Sequence, residues 1–99
     1  MDGKKLQSVV ETYPYLDMAE HIMSEIERAR VVDFISEKPE AGDLMIGTGG
    51  LSKVRIPLEG RGKRAGGRLI TYFHDREMPV FLIAVYGKNA QVEFSGSQR

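Results

Sequence analysis

The spacing of apolar residues changes character at Asp43. Before it, one short strand is followed by a helical pattern. Leu6, Val9 and Val10 fall in a brief apolar stretch, residues 6–11, that predicts a first strand. Thr12, Tyr13 and Pro14 punctuate it, and Pro14 suits the first turn of a helix, where its missing N–H costs nothing. That helix is predicted to run to about Ile22. Ser24 and Glu27 then form a capping-box pair, each side chain able to satisfy a free backbone N–H at a helix start. The second helix carries Ala29, Val32 and Ile35 at intervals of three, which predicts the stripe turned towards the core. Pro39 and Gly42 end it.

Beyond Asp43 the period shortens. Leu44, Met45 and Ile46 make a short apolar run that Gly47, Thr48, Gly49 and Gly50 break. Lys53, Val54, Arg55 and Ile56 alternate basic and apolar, as a strand with one wet face should. A second glycine-rich loop follows at 60–67. Residues 68–74 and 80–86 predict two further strands around a turn at 75–78, and the second is so apolar that it should be central in the sheet. The tail, 90–99, is polar and predicts irregular chain or a short helix. The order β, α, α and then three or four closely linked strands predicts an α+β fold, with two N-terminal helices packed on one face of a small, mostly antiparallel sheet. No repeat or linker divides it, so residues 1–99 are expected to form a single domain.

Composition narrows the function classes. With 99 residues, 41% hydrophobic and 28% charged, the chain can bury one modest core. It has no cysteine, which removes disulfides, thiolate zinc sites and cysteine nucleophiles together. No apolar run reaches the roughly 20 residues of a membrane helix, and no apolar signal core follows Met1, so a cytoplasmic protein is expected. Net charge is zero, but residues 1–43 carry ten acids and five bases while 44–99 carry four acids and nine bases. Six of the bases fall between Lys53 and Arg68, with Glu59 as the one acid among them. Such clustering, more than the total, governs attraction to a polyanion, because phosphate contacts are short-range and screened by salt. A solvated basic loop would show the same composition.

The conventional catalytic devices are missing. The glycines between Gly60 and Gly66 resemble a phosphate loop superficially, but such loops run from a strand into a helix, and this one runs into a strand. His21 and His74 lie far apart with no acid at ligand spacing, so no metal site is expected. No serine occupies a nucleophile elbow. What remains is Lys53, Arg55, Arg68 and Lys88, on or beside three strands. Lys53 and Arg55 share a face, and if the strands are neighbours all four converge at the sheet's edge. Cations without carboxylates suit a reaction that builds negative charge on phosphate, each aligned donor contributing roughly 3 kcal/mol. Holding RNA, DNA or an acidic partner would need the same residues.

Several segments together resemble the HigB-like branch of the RelE toxin superfamily. They are Val9 to Thr12, Pro39 to Asp43, Gly47 to Leu51 with Lys53 and Arg55, Gly62-Lys63 with Gly66, Arg68 and Ile70, and Val85 to Asn89. The resemblance spans roughly residues 6–94. It implies a RelE-like fold and the toxin of a type II toxin–antitoxin pair, a ribosome-dependent endoribonuclease that cuts messenger RNA in the A site and so inhibits translation. The implied chemistry is attack of a ribose 2′-OH on the adjacent phosphate, without metal or cofactor. By position, Lys53, Arg55, Arg68 and Lys88 match the superfamily's catalytic cations, and Arg61, Lys63, Arg64 and Asn89 are assigned to holding the RNA. The implied partners are the ribosome, its message and a cognate antitoxin of helix-turn-helix type, expected to cover the glycine loops or the exposed sheet face.

Three departures from the branch's pattern bear on activity. Ser52 stands where an arginine is usual, Arg64-Ala65 where Ser-Gly is usual, and Phe94 near the place where RelE has a catalytic tyrosine. A catalytically impaired relative, acting as an RNA- or antitoxin-binding module, is the alternative. The short stretch after Asn89 further predicts that one sheet face lacks a covering helix. The strands 68–74 and 80–86 would then expose apolar surface, and self-association through Phe94 would follow.

Overall fold

The structure, a computed structural model, describes residues 5–59, 66–88 and 90. The chain folds as β1 (Val9–Glu11), α1 (Tyr13–Ile22), α2 (Glu25–Glu37), β2 (Asp43–Leu44), β3 (Leu51–Ile56), β4 (Gly67–Tyr72) and β5 (Val80–Gly87). The five strands form one sheet in the order β1-β5-β4-β3-β2. Only the β1–β5 pair is parallel; the others are antiparallel. The expected α+β arrangement is present, with both helices on one face of a mostly antiparallel sheet. The position expected of the most apolar strand needs correction. β5 is interior, flanked by β1 and β4, but the middle strand is β4. No helix among the described residues is long and apolar enough to cross a membrane.

Both helix starts form where local chemistry places them. Thr12 caps α1 by accepting from the Tyr15 N–H at 3.4 Å, and its hydroxyl donates to the Leu82 carbonyl at 2.7 Å, tying the cap to β5. Ser24 and Glu27 form the reciprocal capping box of α2 at 3.1 and 2.9 Å. The stripe predicted for α2 holds at Ile35 and, in part, at Val32, which packs against the core, but not at Ala29. The buried residues of α2 are Glu27, Val31 and Ile35, whereas Ala29 is exposed and Val32 half-buried. Residues four apart drift by only about 40° around a helix, so 27, 31 and 35 form one row. A charged residue stands at the head of that row, which hid it from a reading based on hydrophobicity.

The core is formed where that row and α1 meet the sheet. Tyr15, Ala19, Val31 and Ile35 pack against Val54, Ile56, Leu69, Val80, Leu82 and Val85. Arg28 adds a two-pronged bond to the Glu11 carboxylate, at 3.1–3.2 Å, joining α2 to β1. Tyr15 is completely buried, with its hydroxyl donating to the Met23 sulfur at 3.9 Å. Burial and then the nearby Glu11 carboxylate push its pKa up from 10.0 to about 12, against the opposing pull of Arg28.

The unfolded chain therefore ionises Tyr15 first. The stability tied to its neutral form is complete below pH 10.0 and is lost as pH rises towards about 12, at about 1.4 kcal/mol per pH unit. Tyr15→Phe is expected to remove this slope. Urea midpoints of both proteins at about pH 8 and about pH 11 measure it. An equal alkaline loss in the variant would assign the effect to other groups.

Candidate phosphate and RNA site

Register, more than any single motif, builds the site. On the sheet face opposite the helices, Arg55 of β3 pairs with Arg68 of β4, and Arg68 pairs with Tyr86 of β5. Residues directly opposed across antiparallel strands lie on one face, with Cα atoms about 5 Å apart. The neighbours in sequence confirm which face. Val54, Ile56, Leu69 and Val85 all point into the core, so Arg55, Arg68 and Tyr86 point away from it. The next row, about 7 Å along the strands, holds Lys53, Ile70 and Ala84. A register shift between Ile70 and Thr71 follows, and the third row holds Leu51, Tyr72, Phe81 and Val10. The open face is thus cationic at one end and apolar at the other.

Two glycines let the cationic end close up. Gly66 has φ +80°, and a Cβ there would meet the Ile56 carbonyl oxygen at 2.8 Å. A Cβ on Gly67 would meet Leu58 Cδ1 at 2.6 Å and the Tyr86 carbonyl oxygen at 2.9 Å. Side chains at either position would push β4 away from its neighbours. The Lys88 N–H donates to the Gly66 carbonyl at 3.1 Å, so the residue after β5 is tied to the residue before β4. Arg55, Arg68 and Lys88 consequently share one end of the sheet. At that end β2 does not pair with β3 beyond Lys53, so the cations meet at the ends of β3, β4 and β5 with Arg55 on the open edge of β3 among the described residues.

Lys53, Arg55 and Lys88 are exposed, while Arg68 is half-buried and its Nη1 donates to the Gly67 carbonyl at 3.1 Å. Among the described residues no carboxylate pairs with any of the four. These cations stay available to an anionic ligand. Arg61, Lys63, Arg64 and Asn89 lie outside the described residues, as do Ala65 and Phe94. Ser52, by contrast, is on the opposite face from Lys53, paired with Thr71 and Leu44. The departure at that position therefore leaves the cationic row intact. His74 is exposed beside Asp75 at 3.6 Å and follows the far end of β4, away from the row.

A carboxylate does take part from behind. Glu27 is 9% exposed, and besides the Ser24 N–H its second oxygen accepts the Glu59 N–H at 2.8 Å. Arg30, one turn on, pairs with the Glu59 carboxylate at 3.3 Å. The hydrogen bond from the Ser24 backbone, first among several, holds the Glu27 carboxyl below its usual pKa against the cost of burial. The start of α2 therefore grips the chain just after β3, next to Arg55. Sequence reasoning missed Glu27 in this role and placed Tyr86 in a strand without setting it beside Arg68. For Tyr86 the available signal was its spacing of two from Lys88, and only pairing with Arg68 gives that spacing meaning.

The expectation of a bare apolar face is not met. Ile70 is completely buried and Ala84 is 3% exposed, while Tyr72, Phe81, Ile83 and Tyr86 are half-buried. The large apolar residues that are exposed lie mostly elsewhere, as at Leu44 and Ile46 beside the two-residue edge strand β2. Long strands with a buried middle, not β4 and β5 laid open, describe this face. The contact expected through Phe94 lies outside the described residues.

No family model matches the sequence. Among solved structures, the chain is similar to a mutant form of the E. coli toxin RelE in the free state, with 17% sequence identity, 85% of each chain covered and a TM-score of 0.59. That likeness shows the fold. Two helices on a five-stranded, mostly antiparallel sheet make this a RelE-like α+β protein.

Proposed function

We propose that this protein is the toxin of a type II toxin–antitoxin pair and a metal-independent endoribonuclease that cuts messenger RNA on the ribosome, in the manner of the HigB-like branch. The observation that carries the reading is the row of Arg55 and Arg68, flanked by Lys53 and Lys88 and free of carboxylate partners among the described residues. The proposed reaction starts from a ribose 2′-OH, which loses its proton as its oxygen attacks the adjacent phosphorus. The bond to the 5′ oxygen of the next nucleotide breaks, and that oxygen takes up a proton. The products are a 2′,3′-cyclic phosphate and a free 5′-OH. Charge on the non-bridging oxygens grows in the transition state, where fixed guanidinium donors bind it more tightly than in the ground state. The need for a 2′-OH restricts the substrate to RNA.

The same reading gives the protein a cytoplasmic location and an antitoxin partner. β2 pairs only with Ser52 and Lys53, so β3 beyond Lys53 has an open edge among the described residues. An apolar groove of about 320 Å³ lies beside it, between Val31 and Phe34 of α2 and Ile56 and Pro57. An extended segment of the antitoxin is proposed to use that edge, covering Arg55 as it binds.

Expression without an antitoxin, followed by primer extension on a translated message, tests the function. Discrete cuts are expected, and they should vanish when translation initiation is blocked. Equal cutting of naked RNA would overturn ribosome dependence. Ribosome or RNA binding with no cuts at all would leave the chain a binding module.

A further inference from the structure

We propose that the free edge of β2 is a contact surface for a second copy of this chain, with Leu44 pairing across a two-fold axis and Ile46 seated in a cavity of the other copy. The inference is independent of the RNA-cleaving reading, because neither residue belongs to the cationic row.

β2 ends the sheet, and an end strand carries backbone groups that no neighbour satisfies. The ladder shows which they are. The Met45 N–H turns inward and donates to the Leu51 carbonyl at 2.8 Å. Backbone groups alternate along an antiparallel strand, so those of Leu44, one position back, turn outward, where no described strand lies. Proteins commonly guard such an edge with charge, lysine above all. Here the stretch 41–52 holds a single charged residue, Asp43, and it is paired in register with Lys53 of β3. Apolar residues stand in the guard's place. Leu44 is 73% exposed and Ile46 is 100% exposed, so the Ile46 side chain buries nothing against its own chain.

The register identifies the occupant. Two β2 strands meeting antiparallel about a two-fold axis at Leu44 exchange two hydrogen bonds, each from one Leu44 N–H to the other Leu44 carbonyl. Ile46 then lies level with Gly42 of the second copy, because residues two after and two before the axis oppose each other. Gly42 and Leu44 border a cavity of about 640 Å³, whose apolar lining includes Pro39 and Phe73. Gly42 has no side chain to fill the mouth and cannot gain one cheaply, since at φ +91° a Cβ would collide with the Lys53 carbonyl oxygen. Each copy therefore offers a bare aliphatic side chain and, two positions before the axis, a recess for it. The remaining lining carries acids and bases together, which suits a copy bearing the same mixture better than a polyanion. The paired strand is two residues long, so the dimer is weak and concentration-dependent.

Sedimentation of the purified full chain over a wide range of concentration tests this. The parent should pass from monomer to dimer. Ile46→Asp should weaken the dimer by about tenfold or more, the loss usual at a buried anchor, and its urea midpoint should not move, because the side chain is wholly exposed in the monomer. The chain has no cysteine, so Leu44→Cys carries its only thiol. Residues opposed in a bonded antiparallel pair have Cα atoms about 5.5 Å apart, within disulfide reach. Mild oxidation should therefore link Leu44→Cys into a covalent dimer far faster than Leu6→Cys, whose position is also exposed but precedes β1 at the sheet's other edge. A parent that stays monomeric at every concentration would overturn the proposal. So would a dimer that Ile46→Asp leaves intact, or cross-linking no faster through Leu44→Cys than through Leu6→Cys. Dimers that form only with an antitoxin bound would give the edge to that partner and refute the contact.

Discussion

Arg68→Ala is expected to slow message cleavage by about a hundredfold or more, the loss typical of removing one transition-state donor. Arg68 stands in the middle of the row, between Arg55 and Tyr86, on the central strand. It is half-buried and bonded to the Gly67 carbonyl, so its guanidinium is partly oriented before any ligand arrives. Exposed Lys53 and Lys88 lack that restraint and should matter less singly. The substitution removes no buried contact of the core cluster, so the urea midpoint should hardly move. Arg76→Ala is the matched control. It removes the same charge from the turn before β5, at the opposite end of the sheet, and should leave the rate unchanged. Equal rates for the parent and Arg68→Ala, both well folded, would mean that the phosphate is not held at this row.

Glu27→Ala should give the largest loss of stability for a single polar substitution, about 2–4 kcal/mol. Two backbone donors, the N–H groups of Ser24 and Glu59, lose their acceptor at a site that is 9% exposed. The negative charge at the start of α2 is lost as well, which removes a favourable interaction with the helix dipole. A drop of that size in a domain of this length lowers the melting temperature by roughly 10–25 °C. Glu27→Gln keeps one acceptor oxygen and should cost less. The pH dependence has a definite sign. Because the folded state lowers this pKa, its contribution is present above the ordinary glutamate range and is lost as pH falls through the folded value. Glu27→Ala should lack that part of the acid loss. Urea titrations of the three proteins near neutral pH and in acid measure both effects, and a Glu27→Ala midpoint within error of the parent's would show that the clamp is idle.

Much of the candidate site was legible as residue types and little of it as geometry. Lys53 and Arg55 were placeable on one face because alternation with Val54 and Ile56 is a property of six consecutive residues. That Arg68 lies opposite Arg55, thirteen positions on, is a matter of register between β3 and β4. Nothing in the residues between them specifies that register. Tyr86 is a further eighteen positions away, and it reads as one more apolar member of a buried strand until Arg68 is set beside it. Glu27 shows the reverse failure. Its local role in the capping box was plain, but its second oxygen reaches Glu59 across 32 positions, and that bond is what buries it.

What the sequence determined by itself is therefore local. Thr12 and Pro14 begin α1, Ser24 and Glu27 begin α2, and Pro39 and Gly42 bar its continuation, since each device acts between residues within four positions. The alternation of residues 53–56 and the apolar run at 80–86 likewise announce strands without help from the rest of the chain. Only the tertiary structure decided the strand order, the row of α2 that turns inward, and the fate of exposed candidates such as Leu44 and Ile46. It also decided that the cations gather at one end of β3, β4 and β5, where β3 has an open edge among the described residues. Hydrogen bonds within a turn are selected by neighbouring residues, whereas cross-strand pairing is selected by whichever register buries the most apolar surface while satisfying the backbone. The chemistry of the proposed site depends on that second selection, because Arg55, Arg68 and Tyr86 become a single surface only when three distant strands are brought into line.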